Sequence, residues 1–345
     1  MASRRRTNLS IASSEYLAHL VARQTAPDTI RNRSITLAQL LAVTGDIALD
    51  DITVTHIDQW RAAHPWQSST ANRKLGELRA FFDWCRARGH LTAFSDPTFG
   101  RRGERVPVRD RQRVPVDQWE RLLDAAPHPL ERALVACGLY LMARTSELQT
   151  ILLRHVDLEG GTIEVYRHKV QRPDTLPICA ELDLELRRWL TWYTERVAPT
   201  PEMYLLPNRT RAHTLRDPRT GRLDRLDPGA SIDPWVPISR PHRKVQSVLA
   251  LAGYPVEKEG GHTLRRSAAR AYYDELCTNG YDGALRRVQS MLDHSNTIVT
   301  EGYLGLALDK EARNKALCGQ PMFRRHATAA SPITSLSDYR DRTSR

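Results

Sequence analysis

The chain is poor in cysteine and very poor in lysine. Its five cysteines, Cys85, Cys137, Cys179, Cys277 and Cys318, are odd in number, widely spaced and form no CxxC pair. A disulfide framework or a thiolate zinc site is therefore not what organises this chain, and a reducing compartment is the default. Long hydrophobic runs are missing as well: the longest, Ala133 to Ala143, is too short to cross a bilayer. The N-terminus, MASRRRTNLS, is basic but has no apolar stretch behind it, so it does not read as a secretory signal. No GxxxxGK loop, no cluster of metal-ligand spacing and no tandem repeat occurs. Secreted, membrane-spanning, nucleotide-hydrolysing and solenoid classes fall away together, and a cytoplasmic protein without cofactor or metal is the expectation.

What is present is positive charge on a foldable chain. Fifty-one Lys and Arg stand against 40 Asp and Glu, a formal charge of +11, and 41% hydrophobic content is enough for real cores. The excess is uneven. Residues 1–115 hold 18 basic against 11 acidic residues, leaving 33 against 29 for the rest, so the first third carries +7 and the remainder +4. A polyanion is the natural partner, gripped chiefly by the N-terminal part. Only six of the basic residues are lysine, which first reflects a coding preference for arginine and only then phosphate chemistry.

The first hundred residues read as a four-helix bundle. Apolar residues recur at helical spacing over 15–21 (Tyr16, Leu17, Leu20, Val21) and 29–43 (Ile30, Leu37, Leu40, Leu41). A short helix over 56–63 follows, then a long one capped by Ser69 or Thr70 that runs through Leu75, Leu78, Phe81, Phe82 and Trp84 to a stop at Gly89. From Phe99 to Pro115 six arginines and two prolines break the pattern, which predicts an exposed linker able to lie along phosphates, although a charge run can also be a plain solvated face. Beyond it, helices are predicted near 117–126, 129–143, 180–197, 240–252, 263–278, 284–292 and 297–304. Residues 162–166 and 175–178 alternate like paired strands, with 167–174 as the hairpin tip. The Pro-, Arg- and Asp-rich stretch from Pro207 to Pro237 reads as a long surface loop. The fold class is thus mainly α with a small β-sheet. The expected boundaries are a helical domain over 1–98, a linker over 99–115, an α+β domain over 116–323 and a flexible tail over 324–345.

Six residues could together assemble one phosphate-handling site around a tyrosine nucleophile: Arg144, Lys169, His262, Arg265, His294 and Tyr303. A phosphodiester is anionic and its alkoxide leaving group is poor, so catalysis must place cations on the non-bridging oxygens, align a nucleophile and protonate the leaving oxygen. Arginine suits the first task, because its fork donates two parallel hydrogen bonds and stays charged. Arg144, within ARTSEL, and Arg265 are the candidates. His262 and Arg265 lie three apart and project from one helix face, and Gly260-Gly261 lets the backbone enter that helix tightly. His294 follows Leu292-Asp293, and Tyr303 lies nine residues beyond it. Alone, Tyr303 would read as an aromatic packing a helix end. A phenol titrates near about 10, so attack at neutral pH requires nearby cations.

In this order and spacing the six residues resemble the tyrosine recombinase (phage integrase) family, strongly over residues 130–305 and by pattern from about residue 10. Asp293 stands where the family usually has glycine before the histidine, and Ala143 where it most often has glycine before the arginine. The resemblance implies that Glu147 orients the site and that Lys169, in the hairpin tip beside His168, is the general acid to the leaving 5′-oxygen. It also implies that Tyr303 forms a 3′-phosphotyrosyl bond, which conserves the energy for ligation without ATP or metal. The N-terminal bundle resembles the family's core-binding (SAM-like) domain, which closes on the duplex with the catalytic domain as a clamp. About ten residues precede it, so a short integrase or a resolvase-like enzyme acting at simple core sites is expected.

The implied partners are double-stranded DNA attachment sites, a homotetramer on DNA, and an accessory directionality factor or a host DNA-bending protein, with no membrane. The setting would be the bacterial cytoplasm, at the nucleoid. A helix over 309–317 is expected, and the segment 309–320 that holds it would dock on a neighbouring protomer within the DNA-bound tetramer. Three other readings stay open: a type IB topoisomerase, a non-catalytic DNA-binding protein and a metal-dependent nuclease.

Overall fold

The structure is a computed structural model that describes residues 6–92, 95–107, 111–210, 214–221, 223–225 and 232–306. The chain divides into two compact units, Met1–Arg109 and Asp110–Arg345. The division falls within the stretch 99–115.

Unit 1 is built from four helices, α1 (Leu9–Ala22), α2 (Pro27–Thr44), α3 (Val54–Ala62) and α4 (Ser68–Ala87). Each contributes one apolar stripe. Leu9, Ala12, Tyr16 and Leu20 of α1 meet Leu37 and Leu40 of α2, Ile57 and Trp60 of α3, and Leu78, Phe81, Phe82 and Cys85 of α4. Pro27 opens α2 at a position where its missing N–H costs nothing, and Gly45 ends it at φ 70. α1 starts six residues before the expected Glu15, because Leu9 and Ala12 extend the buried stripe through a serine-rich segment. Neither Ser69 nor Thr70 caps α4; Gln67 precedes it and makes no side-chain cap bond.

Unit 2 is centred on α6 (Pro129–Tyr140), whose Leu130, Leu134, Val135, Cys137 and Leu139 are all fully buried. Around it lie α5 (Trp119–Asp124), α7 (Thr145–Leu148), α8 (Ala180–Thr194), α9 (Pro241–Leu251), α10 (Gly261–Thr278), α11 (Ala284–Leu292) and α12 (Thr297–Leu304). A three-stranded antiparallel sheet, β1 (Val156–Asp157), β2 (Thr162–Arg167) and β3 (Arg172–Pro177), flanks the core in that order. Its hairpin is tighter than expected: Arg167 pairs with Arg172, leaving only residues 168–171 as the turn.

The stretch from Pro207 to Pro237 is not a plain loop. β4 (Pro207–Arg209) pairs with β7 (Ile232–Pro237), and β5 (Thr214–Arg216) pairs with β6 (Leu223–Arg225), both antiparallel. Prolines at 207, 234 and 237 hid this, since proline inside a run argues against a central strand but is tolerated at an edge.

The stretch 99–115 is likewise not free along its described length. Arg101 is bound to Asp58, and Glu104 takes the Arg61 guanidinium at 2.5 Å, both inside unit 1. Val114 is 2% exposed and donates its N–H to Ser267 Oγ at 2.8 Å inside unit 2. Arg102 and Arg105 face solvent. The expected helix over 309–317, its docking segment 309–320 and the expected tail over 324–345 lie outside the described residues. Among the described residues no helix is long and apolar enough to cross a membrane.

Candidate active site

Arg144 is the residue that precedes the single-turn helix α7, and both its backbone N–H and its guanidinium donate to the Glu147 carboxylate, at 2.8 and 2.6 Å. Glu147 is completely buried. Burial alone would raise its pKa, but the Arg144 N–H and guanidinium and the nearby Arg167 hold it below the usual carboxylate range, so it stays charged. The same carboxylate accepts Arg167 Nη1 at 3.0 Å and stands 3.7 Å from Arg265 Nη1. Arg167 is itself fully buried, with Nε on Asp174 at 3.0 Å. Three guanidinium groups thus face two carboxylates, leaving one positive charge in excess where an anion would be drawn in.

Arg265 enters from α10. Its guanidinium donates to the carbonyls of Met142 and Leu292, which ties the end of α6 to the end of α11. Burial pulls its pKa down to about 10, so it is still a cation at neutral pH. The depth of Arg265 depends on the glycine before it: a Cβ on Gly261 would lie 2.1 Å from Thr145 Cγ2. A larger residue there would press on the Thr145 side chain at the start of α7. Next to it, Arg266 is 7% exposed and bonded to Glu259.

His262 sits on the outer face of the first turn of α10. Partial desolvation, then the charges of Arg265, Arg266 and Arg144, lower its pKa. His294 is in the turn between α11 and α12, with Nδ1 3.1 Å from the buried Thr300 Oγ1 and its ring edge-to-face with Tyr303 at 5.3 Å. Desolvation first, then Arg265, Arg144 and Lys169, bring its pKa down to about 4 against the opposing charge of Asp293. Both imidazoles are therefore neutral acceptors at pH 7. Asp293, just before His294, adopts the left-handed conformation that glycine favours, φ 49 and ψ 48.

Tyr303, in α12, lies beside these groups and directs its hydroxyl to the His262 carbonyl at 3.4 Å. Arg265, Arg266 and Arg144 favour the phenolate, but desolvation outweighs them and the pKa is raised. In the free protein the nucleophile candidate is a neutral phenol.

Five of the six sequence candidates therefore converge: Arg144, His262, Arg265, His294 and Tyr303. Lys169 is exposed in the 168–171 turn, close enough for its charge to act on His294. Its neighbour His168 bonds instead to Ser146 O at 3.2 Å and Thr150 Oγ1 at 3.3 Å, which separates two residues that a one-residue slip would confuse. Sequence reasoning missed Arg167. The signal existed, since Ile163, Val165 and Arg167 alternate onto the buried face of β2. Among the described residues no group of three or more His, Cys, Asp or Glu is arranged to hold a metal ion.

The family model described as the phage integrase family matches residues 112–309. The chain is 30% identical over 194 residues to the tyrosine recombinase XerC of Salmonella typhi, covering 53% of this chain and 63% of that protein, slightly less than two thirds of its length. It is 31% identical over 247 residues to the tyrosine recombinase XerC of Lactobacillus delbrueckii subsp. bulgaricus, covering 70% of this chain and 73% of that protein. Among solved structures, a lambda integrase dimer bound to a COC′ core site superposes with a TM-score of 0.62 at 18% identity, over 87% of this chain and 78% of that one. The same integrase as a tetramer bound to a Holliday junction gives a TM-score of 0.60 at 18% identity, over 84% and 78%. At such identity these two superpositions speak for the fold.

Proposed function

The chain belongs to the phage integrase family of tyrosine recombinases, and on that premise we propose that it cuts and rejoins double-stranded DNA at specific attachment sites through a 3′-phosphotyrosyl bond to Tyr303. Arg144 and Arg265 bind the non-bridging oxygens of the scissile phosphate. The Tyr303 oxygen attacks phosphorus, the bond to the 5′-oxygen breaks, the phenol proton passes to a neutral imidazole of the site, and Lys169 protonates the leaving oxygen. The freed 5′-hydroxyl of one duplex then attacks the phosphotyrosyl bond of the other, giving a Holliday junction within a homotetramer. The role is that of a phage or mobile-element integrase, with an accessory directionality factor or host bending protein setting direction. The N-terminal helical unit serves as the core-binding domain and the second unit as the catalytic domain.

The observation that carries this reading is the placement of a desolvated tyrosine hydroxyl among Arg144, Arg265 and Arg266 with neutral His294 against its ring. The raised phenol pKa fits a nucleophile that is activated only when the site closes over substrate, which guards against idle cleavage.

The test uses nicked duplexes tiled across the DNA that flanks the protein's own gene. At the true site the nick lets the cut fragment diffuse away and traps the covalent complex. The unaltered protein should give an adduct that survives SDS, and Tyr303→Phe should bind the same duplex and give none. An adduct formed equally by Tyr303→Phe would refute the assignment. Supercoil relaxation with no recombinant product at the trapped site would move the reading to a topoisomerase.

A further inference from the structure

The turn that carries Lys169 is gripped at both feet. Arg167 and Arg172 face each other as the last paired residues of β2 and β3, one on each side of the turn. Both reach the same short segment. Arg167 Nη2 donates to Met291 O at 3.1 Å, and Arg172 Nη2 donates to Asp293 Oδ1 at 2.9 Å. Met291 is the penultimate residue of α11, and Asp293 immediately precedes His294.

Asp293 is unfavourable at this position in two ways. Its backbone is left-handed, where glycine is the default and aspartate is accommodated at a smaller cost than most side chains. Its carboxylate is only 13% exposed, and Oδ2 is buried with no hydrogen-bond partner. The contact that offsets both is the one to Arg172, a residue 121 positions away in the chain. Glycine would settle the backbone more easily and bury no charge, but it would leave the outer foot of the Lys169 turn unattached.

We propose that Arg172 and Asp293 are positioning residues that fix where Lys169 stands relative to His294 and the scissile phosphate. The inner foot, through Arg167, is buried and permanent. The outer foot is an ion pair whose arginine is 63% exposed, so it opens and closes readily and admits the DNA backbone before the acid is brought up. This rests on Lys169 being the acid that protonates the 5′-oxygen.

The experiment separates proton delivery from everything else by changing the leaving group. On the trapped site, cleavage is timed with the ordinary phosphodiester and with a duplex whose scissile 5′-oxygen is replaced by sulfur, since a thiolate leaves without an acid. Arg172→Ala and Asp293→Asn should each slow the ordinary reaction about fivefold, the scale of one partly exposed ion pair. The double variant should be no slower than either single one. All three should cleave the 5′-sulfur duplex at the unaltered rate. Asp293→Gly, which relaxes the backbone, should show the same kinetic loss while unfolding at a temperature no lower than the unaltered protein. Lys169→Ala is the control: slow on oxygen and restored on sulfur. If Lys169→Ala is restored but the Arg172 and Asp293 variants cleave normally, or stay slow on sulfur, the positioning role is overturned alone. If sulfur does not restore Lys169→Ala, the acid role falls and the positioning role with it.

Discussion

The inner and outer halves of the site are held in opposite ways. Glu147, Arg167 and Arg265 are almost completely buried and bonded to one another or to backbone carbonyls. Lys169 and His262 are exposed, and the Tyr303 hydroxyl makes a long contact to the His262 carbonyl beside its hydrogen bond with Arg265. The inner half is finished when the chain folds, because its cations satisfy groups of the protein. The outer half has fewer contacts within the protein, so on the proposed reading its final geometry is set by substrate. Preorganised charge inside and adjustable groups outside are what a phosphate-transfer site needs if it must stay idle without its DNA.

The sharpest way to break this comparison is to remove the charge that unites the inner half. Glu147→Gln leaves Arg144, Arg167 and Arg265 without their shared anion, and breaking a buried pair of this kind costs about 3–5 kcal/mol. Thermal unfolding should show a large drop, together with loss of cleavage. An unfolding temperature unchanged from the unaltered protein would mean that the cluster is not what holds α7, β2 and α10 together. Arg144→Ala should behave differently, since that side chain is 20% exposed and, on the proposed reading, binds the scissile phosphate. Its cleavage should fall at least about a hundredfold, the scale of one lost preorganised donor, with only a small change in unfolding temperature. Arg144→Lys should recover little, for want of the fork.

Much of this contrast was legible in the sequence, and the reasons it was not wholly so are local. Arg144, His262, Arg265, His294 and Tyr303 stood out because their order and spacing resemble the family's, and the glycines at 260 and 261 announced a close approach, of His242 to the first and Thr145 to the second. The helices were legible where a single stripe is buried, as in α11, whose Ala284, Val288 and Leu292 fall four apart. Arg167 was overlooked because an arginine next to a hairpin turn is usually solvated; only its register behind Ile163 and Val165 told otherwise. The pairings in 207–237 were obscured by their prolines. The contact between Arg172 and Asp293 joins positions 121 apart and has no signature in composition or spacing.

A smaller effect sharpens the description of the outer half in pH. His294 has a folded pKa of about 4, below its unfolded value of about 6.5. The unfolded state therefore binds its proton first as pH falls, so the stability present above pH ~6.5 is lost progressively down to pH ~4. Unfolding temperatures measured across this range should fall more for the unaltered protein than for His294→Asn. Parallel curves would mean that the imidazole is not held neutral by its surroundings.

The smallest expected effect concerns the other unit. Of the arginines just before the unit boundary, Arg101 is already committed to Asp58, whereas Arg102 and Arg105 face solvent. Replacing Arg102 and Arg105 with glutamine should flatten the slope of log K against log salt for DNA binding by about two, if each meets one phosphate. A slope that does not change would make the segment an ordinary solvated face.

The central claim is that Tyr303 becomes covalently attached to DNA, and one measurement reads it directly. Digesting the trapped adduct with nuclease and trypsin should yield the peptide from Val288 to Lys310, whose only tyrosine is Tyr303, heavier by a nucleotide joined through its 3′-phosphate, with fragmentation placing the added mass on Tyr303. A nucleotide found on another residue, or on no residue of a protein that nonetheless cuts the site, would contradict the account.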